Sequence, residues 1–219
     1  YNLKIIFAGK FIWFLLAAFL FFAYFMFQIA WSRSEVNEGV VYNLLMFPCV
    51  LLVFYPAVFG IQNDEDSRIL EILFGIPDYK WGVRLLMIYV AIFVILIVFS
   101  WLATLLLYPV NLLEMSAQLM FPILFFGNLA FMFSTITRSG NGTAVLMIII
   151  GIALLIFSNT PLIERSFWNI LLNPFSIPRN SLPVIWESII IKSRIFLLVA
   201  STIWMLIGLL NLQKREKFV

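Results

Sequence analysis

The sequence predicts an all-α integral membrane protein with six transmembrane helices, a short cytoplasmic coupling helix between the second and third, and short interfacial helices before the sixth. Three observations predict it. The 219 residues are 63% hydrophobic and only 11% charged, with a mean hydropathy of +1.06, whereas a soluble domain is about 45–50% apolar and about 25% charged. Six apolar segments approach the ~20 residues that a helix needs to cross a bilayer. No segment alternates in the manner of a membrane β-barrel, and irregular or open-edged backbone cannot face lipid.

The expected spans are 10–31, 40–61, 83–108, 116–136, 143–158 and 191–212, within a single transmembrane domain covering 1–219. The first runs from Phe11 to Trp31, too long for a signal-peptide core and without a small-residue cleavage site, so it is expected to be retained. The second carries Cys49, the one cysteine, which excludes an intrachain disulfide. The third places Ser100 and Thr104 on one face, and the fourth is rich in Phe and holds Gly127 and Asn128 near its middle. The fifth is short and follows a tight Thr137-Arg138-Ser139-Gly140-Asn141-Gly142 turn. Asn141-Gly142-Thr143 matches a glycosylation pattern, but the expected topology makes it a turn and helix cap. The sixth ends in the charged tail Gln213-Lys214-Arg215-Glu216-Lys217. Ahead of it, 159–190 is too apolar for free solvent, with Phe167, Trp168, Ile170, Leu171 and Leu172, yet Pro161, Pro174, Pro178 and Pro183 break it. One or two short interfacial helices are expected there. Trp13, Trp31, Trp81, Trp101, Trp168 and Trp186 are expected to sit at the interfaces.

Charge orients the bundle. Lys4, Lys10, Arg68, Lys80, Arg84, Arg138, Lys214, Arg215 and Lys217 fall on one side; Arg33, Arg165, Arg179, Lys192 and Arg194 fall on the other. The positive-inside rule then puts both termini in the cytoplasm of a multi-pass cell-membrane protein, expected to be bacterial. The net charge of +3 marks orientation and not nucleic-acid binding, because no basic face follows a phosphate backbone. The chain has no histidine, which excludes His-based catalysis and His-containing metal sites.

The segment after the second span is the most telling. Between Asn63 and Pro77, the residues Ile69, Ile72, Leu73 and Ile76 form an apolar stripe at helical period while the charges fall elsewhere. Asn63 or Asp64 is placed to cap the start, and Gly75 and Pro77 to end it. A helix over 64–76 is too short to span and marginal alone, so it is expected to rest on the membrane rim or on a partner.

Here the chain resembles a known family. Glu65-Asp66-Ser67-Arg68-Ile69-Leu70-Glu71-Ile72-Leu73, then Pro77, then Arg84-Leu85-Leu86, is similar to the first cytoplasmic loop of ABC-2 type permeases, the six-helix membrane subunits of ATP-binding-cassette transporters. Glu71, Leu73, Pro77 and Arg84 fit that pattern; Ile69 stands where the family usually carries Thr. The resemblance extends in layout to the Phe-rich fourth helix, the apolar loop before the sixth and the basic tail. It implies that the permease pairs with a second permease subunit, as a homodimer or heterodimer, and docks on cytosolic ABC ATPase subunits. Asp64, Glu65, Asp66, Arg68 and Glu71 would then supply polar docking, and Ile69, Leu73, Ile76 and Pro77 would supply packing. No G-x-x-x-x-G-K-[ST] loop occurs. No cofactor is therefore expected on this chain; ATP and Mg would belong to the partner ATPase, a separate polypeptide or a domain outside these residues.

Within the spans, polar groups usually face the bundle interior or a cavity. Tyr24 and Gln28, one turn apart on the first helix, and Asn128 on the fourth are candidates for a translocation path, against ordinary helix–helix hydrogen bonding. No acidic residue lies mid-span, which favours an externally powered transporter over a proton- or sodium-coupled one. The expected function is thus the permease of an exporter moving a hydrophobic or amphipathic cargo such as a membrane-active peptide, without catalytic or metal residues of its own. The alternative is a membrane enzyme using Mg on lipid-linked diphosphates. Asn63-Asp64 resembles the opening of the N-D-x-x-D motif of membrane prenyltransferases, but Ser67 stands where its second Asp belongs.

Overall fold

A computed structural model describes residues 11–32, 35–66, 81–137, 139–160, 162–163, 166–177 and 182–216. These form six helices: α1 (Phe11–Ser32), α2 (Glu38–Asp66), α3 (Trp81–Leu106), α4 (Leu112–Thr137), α5 (Gly140–Ser158) and α6 (Pro183–Glu216). All six are long and apolar enough to cross a bilayer, and no strand occurs among the described residues. The chain is an all-α, multi-pass membrane protein.

The least apolar helices are the most buried. Across its best window α2 has a mean hydropathy of 1.9 and α4 of 1.8, and 67% and 72% of these windows are buried. In α1, α5 and α6 the mean hydropathy is 2.2 to 2.3 and only 17 to 22% is buried. α3, the most apolar at 2.9, is 39% buried, so hydropathy does not order all six; for α2 and α4 lipid explains the burial. Hydrocarbon is as apolar as Leu, so burying aliphatic side chains between helices gains little, whereas burying small and polar ones allows close packing and hydrogen bonds. Accordingly α4 buries Ser116, Gly127, Asn128, Ala130, Ser134 and Thr135. It packs on α2, α3, α5 and α6, while α2 packs on α1, α3, α4 and α5.

Glycine permits two of these approaches. A Cβ on Gly127 would lie 2.7 Å from the Tyr89 hydroxyl on α3 and 2.8 Å from Val53 Cγ2 on α2. One on Gly208 would lie 2.6 Å from the Phe131 ring, so α6 meets α4 through a bare backbone. Aromatic rings hold α1 to its neighbours instead. Phe14 lies 4.9 Å from Tyr55, Phe21 lies 5.2 Å from Phe47, and Phe22 stacks on Phe99 at 5.1 Å.

Four features differ from the sequence expectation. First, α2 does not stop at Ile61 but continues to Asp66. Asn63 and Asp64 therefore lie inside a helix and start no new one. Nothing in Gln62-Asn63-Asp64-Glu65 breaks a helix already nucleated by a buried span, so propagation continues. Second, α6 begins at Pro183, well before residue 191. Proline is favoured at the first helical position, where its missing N–H is not needed.

Third, the described part of 159–182 is a run of turns and not of short helices. Backbone bonds close Ile163 onto Thr160, Ser166 onto Ile163, Asn169 onto Ser166, and Leu172 onto Asn169. Asn169 Oδ1 accepts from Leu171 N and Asn173 Oδ1 from Phe175 N, offering the backbone local partners that compete with a helix. Fourth, Trp186 is not an exposed interfacial residue. It is buried, and its indole N–H donates to the Pro174 carbonyl at 3.3 Å. Trp13, Trp31, Trp101 and Trp168 are exposed.

The α4–α5 turn follows its sequence. Ser139, with extended backbone, accepts from Gly142 N at 3.2 Å and caps α5. Thr143 returns a hydroxyl bond to the Ser139 carbonyl at 2.9 Å and meets Thr137 Oγ1 at 2.7 Å. The cap is Ser139; Asn141-Gly142-Thr143 forms the first helical turn.

Candidate functional site

The two groups of residues singled out from the sequence fall in different places. At one end of the bundle, α2 carries Asp64, Glu65 and Asp66 on a helical backbone. The side chains of 61–66, and residues 67–80 altogether, lie outside the described residues, and with them Arg68, Ile69, Glu71, Leu73, Ile76 and Pro77. A continuous helix of 29 residues nevertheless links this acidic end to the most buried part of the fold.

The intramembrane candidates separate. Tyr24 is 60% exposed, and Gln28 is exposed beside it on the outer face of α1. Neither faces the bundle interior. The first span is apolar on every side, and packing on α2 selected the face bearing Ala18, Phe22 and Met26, which leaves Tyr24 and Gln28 outside. Asn128 is buried. The Tyr89 hydroxyl donates to its Oδ1 at 2.6 Å, and its Nδ2 donates to Ser201 Oγ at 2.8 Å. This chain of bonds joins α3, α4 and α6 at mid-bundle.

Smaller pairs reinforce the same helices. Ser100 and Ser116 hydroxyls lie 3.3 Å apart between α3 and α4. Thr104 bonds back to the Ser100 carbonyl at 3.0 Å. The Ser134 hydroxyl donates to the Val58 carbonyl of α2 at 3.0 Å. The Ser100–Ser116 and Ser134–Val58 bonds cross between helices, as those of polar residues in bundles do, while the Thr104 bond stays within α3.

A further cluster was not singled out from the sequence. Arg194, on α6, is 5% exposed. Its Nε donates to Gln118 Oε1 on α4 at 2.8 Å. Its Nη2 donates to the Leu172 carbonyl at 3.3 Å and to the Tyr42 hydroxyl on α2 at 3.5 Å. The Phe121 ring lies 5.4 Å from the guanidinium carbon. The 159–182 segment is tied down beside it, since Asn173 Nδ2 donates to the Gly39 carbonyl at 2.8 Å and to Asn43 Oδ1 at 3.0 Å. The missed signal was position. Arg194 counts as a loop charge only if the sixth helix starts near 191; with Pro183 as its start, Arg194 lies three turns inside.

Among the described residues no group of His, Cys, Asp or Glu is placed to hold a metal ion. Among the described residues the arrangement is that of a packed apolar bundle with internal polar links and an acidic helix end. Comparison of the chain with protein-family models, with curated proteins and with solved structures finds no match.

Proposed function

We propose that this chain is the membrane-spanning permease subunit of an ATP-driven ABC-2 type exporter, powered by separate cytosolic ATPase subunits. The observation that carries the proposal is the unbroken α2. It runs from Glu38 through the buried centre to Asp66, so displacement of its acidic end is transmitted to α4, against which it packs. Motion generated outside a membrane reaches the interior through a continuous element, and the 29-residue α2, with Pro48 and Pro56 inside it, is about 44 Å of one. The similarity of 65–86 to the coupling loop of that family supports the same function.

In this mechanism ATP binding closes the partner ATPase domains, which press on the segment that begins at Asp64. α2 shifts against α4, and the bundle of this subunit and its paired permease opens. Six candidate crossings support a start of α1 and an end of α6 on one side, and the charge distribution supports the cytoplasm as that side. A bundle whose mid-span polar groups Tyr89, Asn128 and Ser201 are engaged with one another suits a hydrophobic or amphipathic cargo, with a membrane-active peptide preferred.

Co-purification tests the proposal. The chain is expressed with its native gene neighbours, solubilised in mild detergent and pulled down. A stoichiometric ATP-hydrolysing subunit is expected, and Glu71→Pro or Leu73→Pro should release it while the permease still folds. Recovery of no ATPase would refute the proposal. Mg-dependent turnover of a lipid diphosphate by the purified chain alone, abolished by Asp64→Asn, would establish the enzyme instead.

A further inference from the structure

Arg194 holds a positive charge inside the fold, and among the described residues its hydrogen-bond acceptors are all neutral. Gln118, Tyr42 and the Leu172 carbonyl receive its Nε and Nη2 hydrogens, and Nη1 is buried with no partner. Glu35, Glu38, Glu114 and Glu187, the acidic residues whose side chains are described, are all exposed, and none pairs with it. A buried cation is normally paired, and a guanidinium whose Nη1 is unengaged and whose Nη2 is held only by neutral acceptors can offer that side to an oxyanion's two oxygens.

Depth identifies the source of such an anion. From Ile195 to Leu212 the helix carries no charge, a run of about 27 Å at 1.5 Å per residue, close to the ~30 Å of a hydrocarbon core. Arg194 therefore stands at the boundary where lipid phosphates lie. Tyr42 and Gln118 share that depth: each is followed by about 30 Å of uncharged helix, to Ile61 and to Thr137. Three helices bring a donor or acceptor to one level, under the turns of 159–182.

We propose that the Arg194 guanidinium, with Gln118 and Tyr42 holding it in place, is a binding site for a phosphate group, supplied by the headgroup of a membrane phospholipid. The Leu172 carbonyl stands where one phosphate oxygen would accept from Nη2. Binding exchanges this neutral acceptor for an anionic one, engages Nη1, and frees the 159–182 segment from the guanidinium. The site does not depend on the transporter function proposed above.

Native mass spectrometry of the delipidated full chain in detergent decides the matter, with phosphatidylglycerol, diacylglycerol of the same acyl chains, and inorganic phosphate as probes. The wild type should bind one phosphatidylglycerol at least tenfold more tightly than diacylglycerol. Arg194→Gln should abolish that preference, and Lys192→Gln, at an exposed neighbour, should keep it. A matching rise in melting temperature with inorganic phosphate alone would support a phosphate site filled from solvent. Equal binding of the two lipids with no response to phosphate would overturn the proposal, as would a preference lost in Lys192→Gln and kept in Arg194→Gln. Because the wild-type comparison stands alone, an Arg194 variant that fails to fold leaves the test decisive.

Discussion

The Tyr89 hydroxyl donates to Asn128 Oδ1 at 2.6 Å, directly above the bare face of Gly127, whose missing side chain makes room for that hydroxyl. Asn128 passes the bond on to Ser201 at 2.8 Å, so one amide links three helices. In water such a link would compete with solvent; in a bilayer its alternative is an unsatisfied polar group in hydrocarbon, tempered by the partners that a disordered helix still finds.

Removing the donor should be measurable. Tyr89→Phe leaves Asn128 Oδ1 buried without its partner and should lower unfolding free energy by about 1 kcal/mol, between the mean of about 0.6 and the maximum of about 1.7 kcal/mol for bonds between membrane helices. Ser201→Ala should cost about 0.6 kcal/mol. SDS-titrated unfolding in mixed micelles reads both, and a double-mutant cycle should show that the two losses are not additive.

Gly127→Ala should destabilise by about 1–3 kcal/mol, the usual cost of forcing a methyl into a packed core. The new Cβ meets the Tyr89 hydroxyl at 2.7 Å and Val53 at 2.8 Å. Part of the damage is the displaced Tyr89 bond, so the same change in a Tyr89→Phe background should cost less. Equal cost in both backgrounds would assign the clash to Val53 alone.

Ser139→Ala removes the hydroxyl that accepts from Gly142 N at 3.2 Å. It should cost about 1 kcal/mol, as loss of a helix N-cap does. Faster hydrogen exchange at the Gly142 amide, with unchanged exchange in α4, is the expected signature.

Tyr24→Leu and Gln28→Leu should change stability by less than about 0.5 kcal/mol each, since both side chains lie on the outer face of α1. Unfolding of the detergent-solubilised chain measures it. A loss above about 1 kcal/mol for either would show that this face is covered within the folded molecule.

Gln62→Pro tests α2 as a transmitting element. The substitution removes the helical donor to the Val58 carbonyl, but that carbonyl keeps the Ser134 hydroxyl at 3.0 Å. The bundle should still fold and still recover its ATPase partner, while export falls at least tenfold because the acidic end no longer moves with the span. Unimpaired export would remove α2 from the mechanism.

Much of this was legible in the linear chain. Hydropathy located all six helices, because a bilayer demands about 20 apolar residues with an internally bonded backbone. Hydropathy also carried a subtler signal: the two least apolar spans are the two central ones. The reversed polarity of membrane packing makes that ordering readable. Helix ends were less so. α2 passed through Asn63 and Asp64, and α6 started at Pro183, because local cap signals compete with tertiary support that only the folded bundle supplies.

The sequence by itself therefore determined the class and the number of crossings, since these follow from composition and the length that a helix needs to cross a bilayer. Only the tertiary structure decided which way each residue faces. Tyr24 and Gln28 turned outward, Asn128 joined Tyr89 and Ser201, and Arg194 was buried among Tyr42, Gln118 and Leu172. A helix apolar on every side carries no periodic stripe to announce its inner face, so rotation about its axis is settled by small residues and hydrogen-bond partners on other helices, far away in sequence.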